Sequence, residues 1–468
     1  MSLDLFCLSP EIINRVLTRA MAGGGEFADL YAEYSRLNSL VMEEGILKSA
    51  YSIIEKGVGL RVVKGEKTGY AYTERMNLES FLKIAGVAAS IANDGGSEQN
   101  FNLEHYSTPN YAPTPDPVTD VALDQKIKWI TLANQYAHSC SSLVRKVTIN
   151  FVDNQCEVMM ADTRGRLIFD TRPMMRFSVS IILEANGEKE MGRAGDGGRM
   201  GFSYITEEKV KSFVDHALAE AQTLLDARQA PAGMLPVILG PGDSGILLHE
   251  AVGHPLEADF NRKGASAYSG RMGEMVANPQ CTIVDDGTVE YNRGSINVDD
   301  ELNSSQRTVL IEEGRLASYM YDEMSARYYG CPSSGNGRRE SYKYQPLPRM
   351  RTTYMLPGKY SHEEIIASTE KGIYCETFKG GQVDISNGNF IFVPSKAFLV
   401  ENGKITCPVK NLSLIGNGPE SLTNVSMVGE DFKLSAGIWT CSKGQTVPVG
   451  VGMPTVKISS MNVGGRQA

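Results

Sequence analysis

The hydrophobic and polar positions in the first half of the chain switch repeatedly between two periods. A helical spacing follows the capping pair Ser9-Pro10, and an alternation of apolar and polar residues begins at Phe27. Helical segments are predicted at residues 10–22, 78–92, 121–138 and 207–227, and strand segments at 28–34, 39–44, 58–63, 69–72, 143–152, 157–161, 167–170 and 177–184. This order amounts to two rounds of helix, β-meander and helix, without a sequence repeat.

A stretch rich in Asn, Gly, Ser and Pro at residues 93–120 separates the two rounds, and we interpret it as a linker or a crossing over the surface. Beyond residue 229 the pattern is mostly that of strands, with turn signals such as Asp286-Gly287 and Asn402-Gly403. We therefore predict an α+β fold with two domains. Residues 1–228 form an N-terminal domain of β-meanders with flanking helices, and residues 229–468 form a mostly β domain that carries a short helix.

Composition and charge indicate which kinds of partner, such as nucleic acids or membranes, the chain is unsuited to bind. The chain has 46 Lys and Arg against 55 Asp and Glu, a net charge of −9, which argues against broad binding to a nucleic-acid backbone. No apolar run approaches the ~18 residues of a membrane span, and the first residues lack the basic start of a signal peptide. The eight cysteines are scattered, which is typical of reduced thiols. We expect a cytoplasmic protein without nucleic-acid or membrane partners.

Two polar loops invite functional interpretations. Gly192–Gly201 is glycine-rich with two arginines, but Phe202-Ser203-Tyr204 stands where a phosphate-binding loop needs a helix start. A mobile flap is the favoured interpretation there. The run Ser334-Gly335-Asn336-Gly337-Arg338-Arg339 either borders a cleft or is a solvated turn.

Two histidines five positions apart, His249 and His254, stand out because the chain holds 6 histidines in 468 residues. Glu250 directly follows the first of them. A neutral imidazole is a good zinc ligand, and an adjacent carboxylate can accept a proton from a metal-bound water. The segment indicates a zinc hydrolase site; the alternative is that both histidines are structural.

The spacing of the two histidines is one residue longer than in H-E-x-x-H, which puts both imidazoles on one helical face. At ~100° per residue, five steps leave His254 about 140° away from His249 on a regular α-helix. A π-bulge closed by an i→i+5 bond would absorb the extra residue, and a helix end is the alternative. Gly253 is free in its backbone angles, and Pro255 disfavours helical angles at His254. We expect His249 and Glu250 inside a helix, with His254 at its distorted last turn.

A catalytic zinc takes three protein ligands and keeps one position open. His362, the other histidine in this half, lies in a segment typical of a helix cap. The acids Glu257 and Asp259 are further candidates, either as ligands or as groups that orient them. Cys441 is the most suggestive because Lys443 nearby favours a thiolate; a buried, inert thiol is the alternative.

Four segments of the second half have a distinctive sequence. They are Leu248-His249-Glu250-Ala251-Val252-Gly253-His254, Asp259-Phe260-Asn261-Arg262-Lys263-Gly264, Asn411-Leu412-Ser413-Leu414-Ile415-Gly416-Asn417, and the tail that runs from Cys441-Ser442-Lys443-Gly444-Gln445 to Pro454-Thr455. Together they resemble the TldD/PmbA family. In that family the TldD-type subunit carries H-E-x-x-x-H and a late cysteine, whereas the PmbA (TldE) type lacks the metal motif. The chain is similar to the TldD type.

The resemblance implies a set of roles. His249, His254 and Cys441 match the metal ligands of the family, and Glu250 matches its catalytic glutamate. The implied activity is zinc-dependent hydrolysis of small or unfolded peptides, with a zinc-bound water activated by Glu250. The implied partner is a PmbA-type (TldE) subunit, and a homodimer is the alternative. No other cofactor is implied, and the sequence identifies no substrate-binding residue.

The main alternative is a non-hydrolytic role, in which a metal-stabilised subunit binds peptides or modulates DNA gyrase, as an older description of the family has it. Glu250 discriminates between the two, since a structural zinc site does not need it. Dipeptidyl peptidases with H-E-x-x-G-H share the local motif but take a downstream glutamate as third ligand, and the rest of this chain does not resemble them.

Overall fold

A computed structural model of the chain describes residues 3–92, 99–114 and 116–465. The strands of its first half are β1 (Phe27–Glu43), β2 (Ile46–Lys64), β3 (Lys67–Thr73), β4 (Glu104–His105), β5 (Val144–Asp162), β6 (Arg166–Ala185) and β7 (Glu188–Gly198). They form one mostly antiparallel seven-stranded sheet in the order β3-β2-β1-β5-β6-β4, with β7 also paired to β6. The two predicted rounds share this sheet because β1 pairs with β5 along its length.

The helices of the first half flank this sheet. They are α1 (Pro10–Met21), α2 (Leu78–Ala89), α3 (Leu123–Cys140) and α4 (Glu207–Leu225). The cap expected at Ser9 is present, since its side chain accepts a hydrogen bond from the amide of Ile12. The side chain of Asn77 caps α2 in the same way by accepting from the amide of Ser80. Helices α1 and α2 pack near β1–β3, whereas α3 and α4 pack near β5–β7. The predicted α+β class is confirmed.

The long strands differ from the short segments that the sequence predicts. Strands β5 and β6 run unbroken for 19 and 20 residues, so the predicted breaks within them are wrong. Polar residues caused the error, as at Asp153, which is buried and still pairs in the ladder. Its carboxylate accepts from the Lys126 ammonium at 2.7 Å, which compensates the buried charge.

The glycine-rich segment is not a flap. Residues 192–198 belong to β7 and pair with β6. A Cβ on Gly192 would lie 1.9 Å from the carbonyl oxygen of Ala217 in α4, and a Cβ on Gly197 would lie 2.4 Å from the Met175 oxygen. These glycines therefore serve close packing of backbone against backbone rather than mobility.

The second half is mostly β, as expected. Its strands are β8 (Arg228–Gln229), β9 (Gly233–Leu239), β10 (Ile283–Asp286), β11 (Arg307–Glu312), β12 (Arg315–Leu316), β13 (Gly337–Arg338), β14 (Leu347–Pro348), β15 (Thr352–Met355), β16 (Lys371–Val383), β17 (Asn389–Glu401), β18 (Lys404–Lys410), β19 (Ser413–Asn417), β20 (Val425–Val428), β21 (Lys433–Leu434), β22 (Thr440–Ser442), β23 (Thr446–Pro448), β24 (Gly450–Met453) and β25 (Val456–Gly464). Its short helices are α5 (Gly245–Leu248), α6 (Ala258–Arg262), α7 (Glu323–Tyr329), α8 (His362–Ala367) and α9 (Gly418–Thr423).

Two sheets of the second half enclose the histidine segment. Strands β16, β9, β25, β19 and β17 pair in that order, and β17 pairs back with β16 to close a ring. A six-stranded sheet runs in the order β12-β11-β10-β15-β24-β21. Helix α5 contacts β15 and β24 of the second sheet and β16 of the ring. The approach is close, because a Cβ on Gly245 would lie 2.6 Å from the backbone nitrogen of Gly452.

The predicted crossing at residues 93–120 lies only partly within the described residues. Residues 93–98 and Pro115 fall outside them. The remainder contributes the two-residue strand β4 and a 3₁₀ turn at Val118–Asp120. Among the helices described here, none is long and apolar enough to cross a membrane. The division into two domains at residue 228 stays a prediction.

We predict that Gly192→Ala lowers the free energy of unfolding by about 1–3 kcal/mol, because the added methyl group overpacks α4 against β7. Gly86→Ala is the matched control, since Gly86 lies inside α2 and its nearest neighbour would be the flexible end of Arg19 at 3.1 Å. The control is expected to be neutral or to stabilise by about 0.5–1 kcal/mol. Chemical denaturation measures the free energy of unfolding of both variants. Equal effects would show that the contact between β7 and α4 accommodates an added methyl group.

Candidate metal centre

The extra residue between the two histidines is absorbed by a π-turn. Helix α5 ends at Leu248 and continues as a π-helix over His249–Gly253, closed by a hydrogen bond from the amide of His254 to the carbonyl of His249. A 3₁₀ turn, His254–Leu256, follows. The wider i→i+5 turn brings residues five apart onto one face, so the rings lie with centroids 5.0 Å apart. The expectation of a distorted last turn is confirmed.

The local reasons for this turn differ from those that the sequence suggests. Gly253 has ordinary helical angles, φ −59° and ψ −63°, so its backbone freedom is not used. Its missing side chain matters instead, because a Cβ there would lie 1.9 Å from the sulfur of Met350. His254 also keeps helical angles despite the following proline. Ser244 directly precedes the helix, but its hydroxyl donates to the carbonyl of Gly240 and does not cap the helix.

Three buried side chains converge beside this turn. One ligand atom from each of His249, His254 and Cys441 lies within 4.8 Å of the other two. The Cys441 sulfur is 3.3 Å from Nε2 of His254. Donors about 2.0–2.3 Å from one tetrahedral ion are separated by roughly 3–4 Å, so this spacing suits a single ion.

Cys441 reaches the histidines on a hairpin that is fixed by Arg349. Cys441 lies in β22, which pairs with β23. The guanidinium of Arg349 donates to the carbonyl of Cys441 at 3.0 Å and to that of Gln445 at 2.8 Å. Because Arg349 is fully buried and binds both β22 and the turn that leads into β23, it sets the position of the sulfur. Nothing in the sequence near Cys441 pointed to this arginine.

Glu257 orients His254 by contacting Nδ1, the ring nitrogen that does not face Cys441. Its carboxylate lies 3.1 Å from Nδ1 of His254, 3.1 Å from Nζ of Lys443 and 3.7 Å from Nε of Arg349. Burial raises the pKa of Glu257, but Lys443, His254 and Arg349 outweigh it and lower the pKa to about 2. An ionised carboxylate at Nδ1 leaves Nε2 of His254 free to face Cys441 and an ion.

Cys441 is suited to bind a metal as a thiolate. Its side chain is buried, and burial raises the pKa of a thiol, yet the imidazoles of His249 and His254 bring the pKa of Cys441 down to about 5. Lys443 is not the cause, contrary to the expectation from sequence, because its ammonium is bound by Asp259 at 2.7 Å and by Glu257.

Glu250 lies beside the cluster on a cavity of about 530 Å³. The same cavity is lined by the three clustered residues, by Trp439 and by the segment 381–383 of β16. Burial raises the pKa of Glu250, against the opposing effect of the two imidazoles. A half-buried carboxylate with a raised pKa is placed to accept and return a proton in this cavity.

The remaining sequence candidates lie elsewhere. His362 is the first residue of α8, and its Nδ1 lies 2.9 Å from the hydroxyl of Thr455. Ser361 caps that helix and forms a capping box with Glu364, as its sequence indicated. Asp259 binds Lys443 and does not join the cluster. Within the described part of the chain, the cluster of His249, His254 and Cys441 is the one group that fits a metal ion.

Two imidazoles and a thiol that share a cavity with a glutamate form the donor set of a metallohydrolase. Comparisons with known proteins narrow this class. Models of the PmbA/TldA metallopeptidases match residues 28–92 (domain 1), 116–225 (central domain) and 232–465 (C-terminal domain). A metalloprotease TldD homolog from Haemophilus influenzae is 45% identical over 450 residues, which cover 94% of this chain and 93% of that protein. The chain belongs to the PmbA/TldD family of metallopeptidases.

Other relatives and solved structures agree with this family. A zinc metalloprotease TldD homolog from Saccharolobus solfataricus is 37% identical over 236 residues, which cover 50% of this chain and 52% of that protein. TldE from Thermococcus kodakarensis has a TM-score of 0.74 at 18% identity, with 97% and 100% of the two chains covered. A Thermotoga maritima protein described as a candidate modulator of a DNA gyrase has a TM-score of 0.80 at 20% identity, with 97% and 99% covered. At these identities the two structures show a shared fold.

We predict that Gly253→Ala lowers the free energy of unfolding by about 1–3 kcal/mol, because the new methyl group collides with Met350 in a closed core. Met350→Val removes the colliding sulfur and serves as the second variant of a double-mutant cycle. The loss in free energy of unfolding in the double variant should be smaller than the sum of the two single losses by more than about 0.5 kcal/mol. Additive effects in chemical denaturation would show that the π-turn tolerates a side chain at residue 253.

Proposed function

We propose that the chain is a zinc-dependent peptidase that hydrolyses small or unfolded peptides, with Glu250 as general base. The observation that carries the proposal is the convergence of His249, His254 and Cys441 around one point beside Glu250. Membership of a metallopeptidase family supports hydrolysis, and the description of the Saccharolobus solfataricus relative as a zinc metalloprotease supports zinc.

The residues present fit a zinc ion. The donor set of two nitrogens and one sulfur is typical of this metal, and Nδ1 of His249 is buried with no hydrogen-bond partner among the described residues. His249, His254 and Cys441 would hold the ion. When bound, zinc supplies a Lewis acid that lowers the pKa of a coordinated water and polarises a carbonyl group.

Glu250 would move the proton. Its carboxylate accepts a proton from the attacking water and then passes it to the nitrogen of the leaving amine. Burial raises the pKa of Glu250, which favours uptake of the proton by this carboxylate before the proton passes to the leaving amine. Meanwhile Glu257 keeps His254 in one tautomer through Nδ1, so the nitrogen that faces the cluster stays a ligand.

A free strand edge beside the cavity supports a peptide substrate. Strand β16 pairs with β9 through Ile373–Cys375, but beyond Cys375 no described strand pairs with that side. The unpaired edge reaches 381–383, which line the cavity of Glu250. A peptide can add to such an edge through main-chain hydrogen bonds, which tolerate many side chains. Trp439, on the same cavity, has an indole N–H that is buried and lacks a partner in the described part.

We also propose that the chain works as a dimer, either with a PmbA-type (TldE) subunit or with a second copy. Exposed apolar side chains along β2 support this, since Ile46, Ile53 and Ile54 are 58%, 47% and 60% exposed. Clustered apolar exposure of this kind marks interaction surfaces. Size-exclusion chromatography of the pure chain, alone and mixed with a TldE-type subunit, distinguishes the two assemblies.

We predict that Glu250→Gln reduces kcat for peptide cleavage by roughly 10²–10⁴-fold, because the amide cannot accept a proton. Zinc content, measured by inductively coupled plasma mass spectrometry, and the thermal midpoint should stay unchanged. Glu274→Gln on the exposed surface is the matched control and should cleave at the wild-type rate. Cleavage by Glu250→Gln at the wild-type rate would refute the general-base role. A wild type that binds zinc and peptides but cleaves none would favour the non-hydrolytic alternative.

We predict that Glu257→Gln weakens zinc binding by roughly 10–100-fold, because His254 loses the carboxylate that orients it. Competition with a chromophoric chelator measures the affinity. Asp259→Asn is the control, since Asp259 shares Lys443 with Glu257 but does not touch the imidazole. The control should stay within a few-fold of wild type. Equal losses in both variants would assign the effect to Lys443 instead.

A further inference from the structure

A second cavity, of about 440 Å³, lies between the N-terminal sheet and the second half of the chain. Strands β1, β5 and β6 line one side of it, and the segment 338–340 and strand β23 line the other. Its size is within the ~300–1,000 Å³ of ligand pockets. Thr440, in the strand that carries Cys441, lines both this cavity and the cavity of Glu250.

The lining is strongly cationic. Three acids, Glu33, Asp300 and Glu340, share it with six arginines, which are Arg172, Arg176, Arg199, Arg293, Arg338 and Arg339. Two of the arginines are neutralised. Arg172 pairs with Asp170 at 2.7 Å and with Asp300 at 2.6 Å, and Arg339 pairs with Asp29 at 3.2 Å.

Of the four other arginines, Arg199 and Arg338 are almost fully buried and bound only by neutral groups. Arg199 donates to the carbonyls of Ser295 at 3.1 Å and Thr171 at 3.2 Å. Arg338 donates to the carbonyl of Pro448 at 2.8 Å and to that of Met350. Neither has a carboxylate within 4 Å in the described part of the chain.

Arg293 and Arg176 complete the set. Arg293 donates from Nε to the carbonyl of Trp439 at 2.9 Å and contacts the hydroxyl of Thr440 at 3.4 Å. Nε of Arg176 is buried and has no hydrogen-bond partner among the described residues. Neither arginine forms an ion pair in that part of the chain. Four arginines therefore line one cavity without a carboxylate of the described chain paired to any of them.

None of the three acids of the lining forms an ion pair with these four arginines, although the charge of Asp300 acts on Arg338 from a longer distance. The Glu33 carboxylate accepts from the amide of Tyr342 at 2.9 Å, and that of Glu340 accepts from the amide of Thr446. Asp300 is held by Arg172 and by the amide of Arg339. Each acid is thus engaged with groups other than the four unpaired arginines.

Burial makes these charges costly. Loss of hydration lowers the pKa of Arg199 and of Arg293 to about 10, and that of Arg338 to about 9. All three remain cationic at neutral pH. A group of buried cations is stabilised when an anion enters and accepts their hydrogen bonds.

We propose that this cavity binds a carboxylate of the peptide substrate, either its C-terminal carboxylate or an acidic side chain. The inference rests on the proposed peptidase function, since the carboxylate would belong to the peptide that the Glu250 site cleaves. Planar guanidinium groups match a carboxylate in two-point contact. The walls also include Leu37, Met174 and Ile296, which suit the carbon atoms of a peptide residue better than an inorganic anion.

A binding experiment tests this without turnover. Isothermal titration of the zinc-loaded Glu250→Gln variant compares acetyl-Ala-Ala-Phe as free acid and as amide, and acetyl-Ala-Glu-Ala amide with its Gln twin. At least one acid should bind roughly tenfold tighter than its neutral twin. The pair that shows the difference identifies the source of the carboxylate. Equal binding within both pairs, or binding of inorganic phosphate alone, would overturn the proposal.

Two arginine variants localise the preference. In the same background, Arg176→Gln should reduce the preference for the acid roughly tenfold, and Arg176 is half-buried, so folding should survive. Arg145→Gln is the matched control, because Arg145 is exposed and pairs with Glu184 at 3.3 Å. A preference that survives Arg176→Gln, or that falls equally in the control, would place the anion elsewhere and refute the cavity assignment.

Cleavage assays on the wild type distinguish a failure of the carboxylate assignment from a failure of the proposed peptidase function. If acids bind preferentially but no peptide is cleaved, the proposed peptidase function fails and the carboxylate assignment stands. If acid and amide peptides are cleaved with equal kcat/KM, the carboxylate assignment fails and the peptidase function stands.

Discussion

One backbone hydrogen bond decides whether this chain has a metal site. The amide of His254 donates to the carbonyl of His249, five residues earlier, where a regular α-helix would bond four residues back. Only the wider turn brings both imidazoles to one side, because a regular helix would hold them about 140° apart. The core maintains this turn, since Met350 fills the space above Gly253 and leaves no room for a side chain there. Helix α5, in turn, is held on β24 through the contact of Gly245 with Gly452.

The third donor depends on packing over a long sequence distance. Cys441 lies 187 residues from His254, and its hairpin is positioned by the buried guanidinium of Arg349. Arg349 also approaches Glu257, which contacts His254. A single charge-balanced network therefore joins the hairpin to the π-turn. Buried charges that are paired in this way fix geometry, and a displaced partner would leave an uncompensated charge.

Two buried charge arrangements lie on either side of the hairpin, and they differ in balance. Around Glu257, the cations Lys443 and Arg349 are matched by two carboxylates, because Lys443 binds Asp259 as well as Glu257. In the arginine-lined cavity, four guanidinium groups have carbonyl partners or no partner at all. Unbalanced buried charge is tolerated where it serves binding or catalysis, which is why perturbed groups concentrate at functional sites. Thr440 links the two regions, because it lines both cavities.

The sequence by itself determined the features that depend on neighbouring residues. The helix caps at Ser9, Asn77 and Ser361, the α+β class and the distorted turn at His254 all follow from local spacing and hydrogen bonding. The resemblance to a family proposed Cys441 as the third ligand, where the residues alone left Glu257, Asp259 and His362 open. Predictions from local patterns were wrong where the residues that contact a segment lie far from it in the sequence. Polar residues in β5 predict strand breaks where the ladder is continuous, and the glycines of β7 predict a flap where the chain forms a paired strand.

Only the tertiary structure decided which distant groups meet. The convergence of Cys441 with the histidines, the role of Arg349 and the gathering of arginines around one cavity depend on strand pairings between residues far apart in the chain. The sequence left open whether the Ser334–Arg339 segment borders a cleft or is a solvated turn. The fold favours the border of a cleft, because Arg338 and Arg339 are buried and line the second cavity. The physical reason is that a side chain's charge state, partners and exposure are set by whatever packs against it. Spacing along the chain records the immediate neighbours alone.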